Sequence, residues 1–205
     1  DNWKQKKAAI QELQQLAKVP KLASGDYREL GSTLKKLMGH SNLAVVADAI
    51  TATGVLAKSL RKDWREYAIS LTKVMLEKLK DKNVMVTRST QNTLLEVGTY
   101  CISLGDVADD LVSALSHKVP KVKVGTLEWL SKAIAATEKA QMQSLAKQLM
   151  PAMTKTLEDS TPEVRAAAVS AVAVYASVLG GLGHVKGLDK LDARAKKKLE
   201  EQVVS

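Results

Sequence analysis

Ser41-Asn42-Leu43-Ala44-Val45-Val46 is a polar turn that runs straight into an apolar helix. Related segments follow at Asn83-Val84-Met85-Val86, Pro120-Lys121-Val122-Lys123 and Pro162-Glu163-Val164-Arg165. With Val45, Val86, Val122 and Val164 as markers, the spacings are 41, 36 and 42 residues. Stacked helical-pair repeats recur at about 40–47 residues. Such stacking puts equivalent turns along one edge, which makes the turn residues a candidate binding surface. The chain reads as a binding module rather than an enzyme.

Working outward from these turns, the helices declare themselves by period. Trp3, Ile10, Leu13 and Leu16-Ala17 stripe a helix over 3–18, and Pro20 and Gly25 break it. Asp26 with Glu29, and Asp63 with Glu66, have the spacing of capping boxes and predict helix starts at those aspartates. The helix over 43–60 is apolar on nearly every side, as a helix between neighbours must be. Further pairs span 106–136, broken by His117–Pro120, and 139–180, broken by Asp159–Pro162. Thr161 reads as an N-cap and Pro162 as a first helical residue. Four glycines between 180 and 187 read as a flexible connection, followed by a basic helix from Leu188 to Val203 with Arg194 and Lys196–Lys198. The prediction is all-α: a single-domain HEAT-repeat solenoid over 1–205, of about five to six helical pairs. The first pair lacks its upstream helix. The chain opens at Asp1 almost directly in that helix, which reads as a domain cut from a longer protein.

Composition narrows the class. Hydrophobic residues make up 45% of the 205, mostly Ala, Leu and Val with no Phe, which suits close helix packing and argues against disorder. Lys and Arg outnumber Asp and Glu by 31 to 22, a net charge of +9 that favours acidic partners. Cys101 is the only cysteine, so no internal disulfide forms, and its apolar neighbours make it a buried small residue. No run approaches the ~18 apolar residues of a membrane span. His40, His117 and His184 lack ligand spacing, so no metal site is expected, and the two turn histidines read as solvated. The glycines lack the Lys-Ser/Thr ending of a phosphate loop. No catalytic set and no cofactor is indicated.

Taken together, Trp3-Lys4-Gln5-Lys6, Ser41-Asn42 before Val45-Val46, Lys80-Asp81-Lys82-Asn83, His117-Lys118-Val119-Pro120-Lys121 and the turn before Val164-Arg165 resemble the TOG domain. That is the tubulin-binding HEAT array of Dis1/chTOG-type microtubule polymerases and of CLASP proteins. The resemblance covers essentially the whole chain and rests on order and spacing rather than on any one motif. It implies an αβ-tubulin or microtubule-lattice partner, other TOG domains in the same parent chain, no membrane, and a cytoplasmic place on microtubules, spindle and centrosome. By matching position it implies contact through Trp3, Asn42, Val45, Lys82, Lys118, Lys121 and Arg165. The first turns would address β-tubulin and the last ones α-tubulin. Glu158-Asp159-Ser160-Thr161 departs from the family, which places a basic residue there.

The residues alone leave alternatives open. Trp3 reads as an aromatic anchor or as core, Val45 beside Val46 and Ala47 as contact or core, and the lysines as a steering set or a solvated face. Arg165 also suits a structural pairing with a nearby carboxylate. Trp64 and Trp129 lie in helix stripes and read as core. A basic scaffold for nucleic acid, or an adaptor for another protein's helix or tail, is the alternative function.

Overall fold

The computed structural model describes residues 2–185, 187, 188, 191 and 193–203. Two compact units divide the chain, Asp1–Val107 and Ala108–Ser205. Among the described residues every regular element is helical.

The first unit holds α1 (Trp3–Ala17), α2 (Arg28–Leu37), α3 (Leu43–Leu60), α4 (Arg65–Lys78) and α5 (Val84–Tyr100). α3 lies between α1 and α5, and α2 and α4 pack beside each other as a second layer. Twelve of its eighteen residues are buried, as an all-round apolar helix requires. Gly54 and Thr93 set the closeness of α3 and α5. A Cβ at Gly54 would sit 3.1 Å from Thr93 Oγ1, and that hydroxyl donates to the Ile50 carbonyl at 3.0 Å. Between α3 and α4, Trp64 is fully buried, 5.0 Å from Tyr67 and 6.2 Å edge-on from Tyr27. The Cys101 thiol is buried, donates to the Ala57 carbonyl at 3.4 Å, and is pushed up to about 12 by that burial, which makes it an inert packing group.

The second unit holds α6 (Ala108–Leu115), α7 (Pro120–Ala135), α8 (Lys139–Thr156), α9 (Pro162–Leu179) and α10 (Ala193–Val203). Here α9 is the sandwiched helix, packed by α7, α8 and α10, with Tyr175 at its centre and Trp129 buried on α7.

Several expectations are corrected. Both capping boxes are absent. Asp26 accepts from the Arg28 backbone N–H at 3.0 Å and pairs with the Arg28 guanidinium, so α2 starts two residues late. Asp63 sits in a 3-10 turn over Arg61–Trp64 and accepts from the Ser24 hydroxyl at 2.6 Å. Thr161 occupies the N-cap position but makes no side-chain cap bond. The glycine stretch opens as a closed helix cap rather than a flexible connection. Gly180, at φ 97°, lets its own N–H reach Ser177 and the Gly181 N–H reach Ala176, which satisfies two terminal carbonyls of α9. The segments Leu43–Lys78 and Pro162–Leu179 are in fact long and apolar enough to cross a membrane. However, 67% and 50% of those windows are buried against neighbouring helices of the same unit. Of the expected basic helix, residues 189, 190 and 192 and the Arg194 side chain lie outside the described residues.

Candidate functional site

The turns that precede α3, α5, α7 and α9 are built on one plan. Five residues before each marker valine stands a half-buried acceptor side chain that takes the backbone N–H two residues on. His40 Nδ1 accepts from Asn42 at 3.0 Å, Asp81 Oδ1 from Asn83 at 2.8 Å, His117 Nδ1 from Val119 at 3.0 Å, and Asp159 Oδ1 from Thr161 at 2.9 Å. Histidine and aspartate alternate because each offers an sp² acceptor at the same reach. The two turn histidines are therefore turn-formers, not solvated loop residues. Their constant offset from the valines was the signal in the sequence.

At His40 this fixes the tautomer. With Nδ1 accepting, Nε2 of the neutral ring carries the proton, so Lys6 Nζ at 3.4 Å from it faces an N–H rather than a lone pair.

The two units then finish their turns differently. Asn42 Oδ1 caps α3 through Ala44 and Val45, at 2.9 and 3.4 Å, and Asn83 Oδ1 caps α5 through Met85 and Val86, at 2.9 and 3.3 Å. In the second unit, Pro120 and Pro162 take the first helical position, where a missing N–H costs little.

What reaches solvent differs from the expected set. Val45 is fully buried, as are Val86, Val122 and Val164, because the marker position faces the core. This removes Val45 as a contact side chain. Leu43 at 39%, Val84 at 76% and Met85 at 50% are the exposed apolar residues beside it and at the next turn, and sequence reasoning missed them. Trp3 is 39% exposed at the start of α1, with Lys4 Nζ 5.8 Å from its ring centre. Lys82, Lys118 and Lys121 are exposed and make no ion pair or hydrogen bond within the described residues.

The turn before α9 is self-contained. Asp159 pairs with Lys123, both largely buried, and Arg165 donates to the carbonyls of Asp159 and Ser160 at 2.6 and 3.0 Å. Arg165 thus braces its own turn through carbonyls, not through a carboxylate. Burial works against a charge on Asp159, but the Lys123 ammonium and the Thr161 N–H outweigh it and hold its carboxyl below the usual range. Among the described residues no His, Cys, Asp and Glu side chains gather as a metal cluster.

Known proteins can be set beside this geometry. The family model for the XMAP215/Dis1/CLASP TOG domain matches residues 1–203. Protein MOR1 of Arabidopsis thaliana is 40% identical over 98% of the chain, which spans about a tenth (10%) of that relative's length. A solved structure of microtubule plus-end tracking by XMAP215, CLIP-170 and EB1 is 29% identical with a TM-score of 0.90, covering 98% of this chain and 85% of its own. Another, of tubulin recruitment and assembly by microtubule polymerases with TOG domain arrays, is 25% identical with a TM-score of 0.88, covering 98% of this chain and 43% of its own. The all-helical HEAT-repeat architecture, the repeated turns and a match over nearly the whole length place the chain in the XMAP215/Dis1/CLASP TOG-domain family.

Proposed function

We propose that this chain is a tubulin-binding module, acting as one domain over 1–205 within a longer microtubule-associated protein of the cytoplasmic cytoskeleton. The observation that carries the reading is the chemistry left outward at the turns. Trp3, Leu43, Val84 and Met85 are large apolar side chains at helix starts, and Lys82, Lys118 and Lys121 are cations with no partner among the described residues. Apolar anchors of this kind supply binding energy, while unpaired lysines steer an acidic surface and speed encounter. Asn42 and Arg165 serve from within, by holding the turns that present these groups. In the longer protein the module captures soluble αβ-tubulin and supports plus-end growth, with release as tubulin straightens in the lattice.

The test is co-elution with unpolymerised αβ-tubulin on size exclusion at low and moderate salt, beside Trp3→Ala. A complex that persists in wild type and is lost in the variant supports the reading. A complex indifferent to Trp3→Ala would sink Trp3 as the anchor, and no complex at either salt would sink capture of free tubulin.

A further inference from the structure

The first unit also carries a groove of about 850 Å³ between the segment after α1, the C-terminal half of α3 and one face of α5. Its apolar lining includes Val19, Pro20, Val55 and Met85, of which Val19 is 40% and Met85 50% exposed. Four cations line it, Lys18, Lys58, Arg61 and Arg88, against one acid, Glu96. They belong to three different chain segments, and two of them, Lys58 and Arg61, meet at the Tyr100 ring. Arg61 is the one described non-glycine residue with positive φ, at 53° with ψ −121°, a conformation that glycine would adopt at far lower cost. Its guanidinium lies 5.9 Å from the centre of the Tyr100 ring, and Lys58 Nζ lies 6.0 Å from the same ring. A strained arginine is thus held with its charge beside the Tyr100 ring of the groove.

We infer that this groove docks an acidic peptide segment of a partner protein, one that lays a large apolar side chain on the groove's apolar lining between flanking carboxylates. Four cations against one acid, beside exposed apolar side chains, match a segment that carries both carboxylates and an apolar residue better than a bare phosphate. The one aromatic ring, Tyr100, is already occupied by Lys58 and Arg61, so the groove offers no stacking platform for the bases of a nucleic acid. This surface is separate from the turn residues assigned to tubulin except for Met85, and its test does not depend on that assignment.

The measurement is fluorescence anisotropy of a labelled Glu/Asp-rich peptide of about a dozen residues with a central Leu, titrated with the whole chain. Arg88→Glu and Lys58→Glu, both exposed positions, are expected to weaken binding about tenfold each with unchanged thermal melting. Replacing the central Leu by Ser should weaken it too, and Lys118→Glu with Lys121→Glu should leave it unchanged. Any of four results overturns the proposal: no binding, equal loss in the Lys118/Lys121 variant, indifference to the Leu replacement, or tighter binding of a single-stranded DNA of equal charge.

Discussion

In Asp1–Val107 the helices after the turns begin with Leu43 and with Val84-Met85; in Ala108–Ser205 they begin with Pro120-Lys121 and Pro162-Glu163. The difference follows from how each turn satisfies its helix N-terminus. An asparagine cap ties down the N–H groups of the second and third helical residues and leaves the first residue free in identity, so a large apolar side chain can stand there exposed. A proline occupies that first position itself, and the next outward residue is charged. All six exposed large hydrophobic residues among the described ones, Trp3, Leu16, Val19, Leu43, Val84 and Met85, belong to the first unit. One turn plan thus leaves large apolar side chains exposed beside Lys82 in the first unit and charged ones alone at the matching positions of the second.

The comparison breaks most readily at Trp3. Trp3→Ala should cost at least about 2 kcal/mol of tubulin affinity by titration calorimetry at a temperature where the variant is folded. An equal cost from the second unit's lysines would reverse the ranking. Next comes Asp159→Ala, which strips a backbone N–H of its acceptor and leaves Lys123 half-buried without its carboxylate. A loss of about 2 kcal/mol of stability is expected in urea melts, against about 1 kcal/mol for Asp81→Ala, which loses only the turn bond.

Asp159 also sets a pH signature. Because its folded pKa is lowered, its stabilisation is full above the ordinary carboxylate range and is lost as pH falls through the lowered value. The stability gap between wild type and Asp159→Asn should therefore be present at neutral pH and close in acid. A gap that stays constant with pH would show that the Lys123 pair contributes nothing.

Smaller effects sharpen the same division. Val84→Ser with Met85→Ser should weaken tubulin binding about fivefold at any salt, as loss of apolar area does. Lys118→Ala with Lys121→Ala should slow association about threefold at low salt and have little effect at high salt. The smallest expected change is none. His117→Asp should keep the melting temperature, because aspartate already fills the same role at 81 and 159, whereas His117→Ala should lower stability by about 1 kcal/mol.

Much of the architecture was legible because it is written locally. Asn42 and Asn83 cap where their type predicts, Pro162 opens α9, and Trp64 and Trp129 sit in the core as their stripes require. The false helix starts at Asp26 and Asp63 have a common cause. A carboxylate four-residue pattern says what an aspartate could bond, and here Arg28 and Ser24 offered better partners. Ser24 lies thirty-nine residues from Asp63 in sequence, beyond the reach of any local rule.

The contact set shows the same limit more sharply. Sequence by itself determined most of the helices, their order and the repeat of the turns. It could not choose between Leu43 and Val45, because a helix apolar on nearly every side has no polar face to fix its rotation. Only the packing of α1, α2 and α5 around α3 set that rotation, turning Val45 inward and Leu43 out. Burial is a property of neighbours, and neighbours come from the tertiary structure.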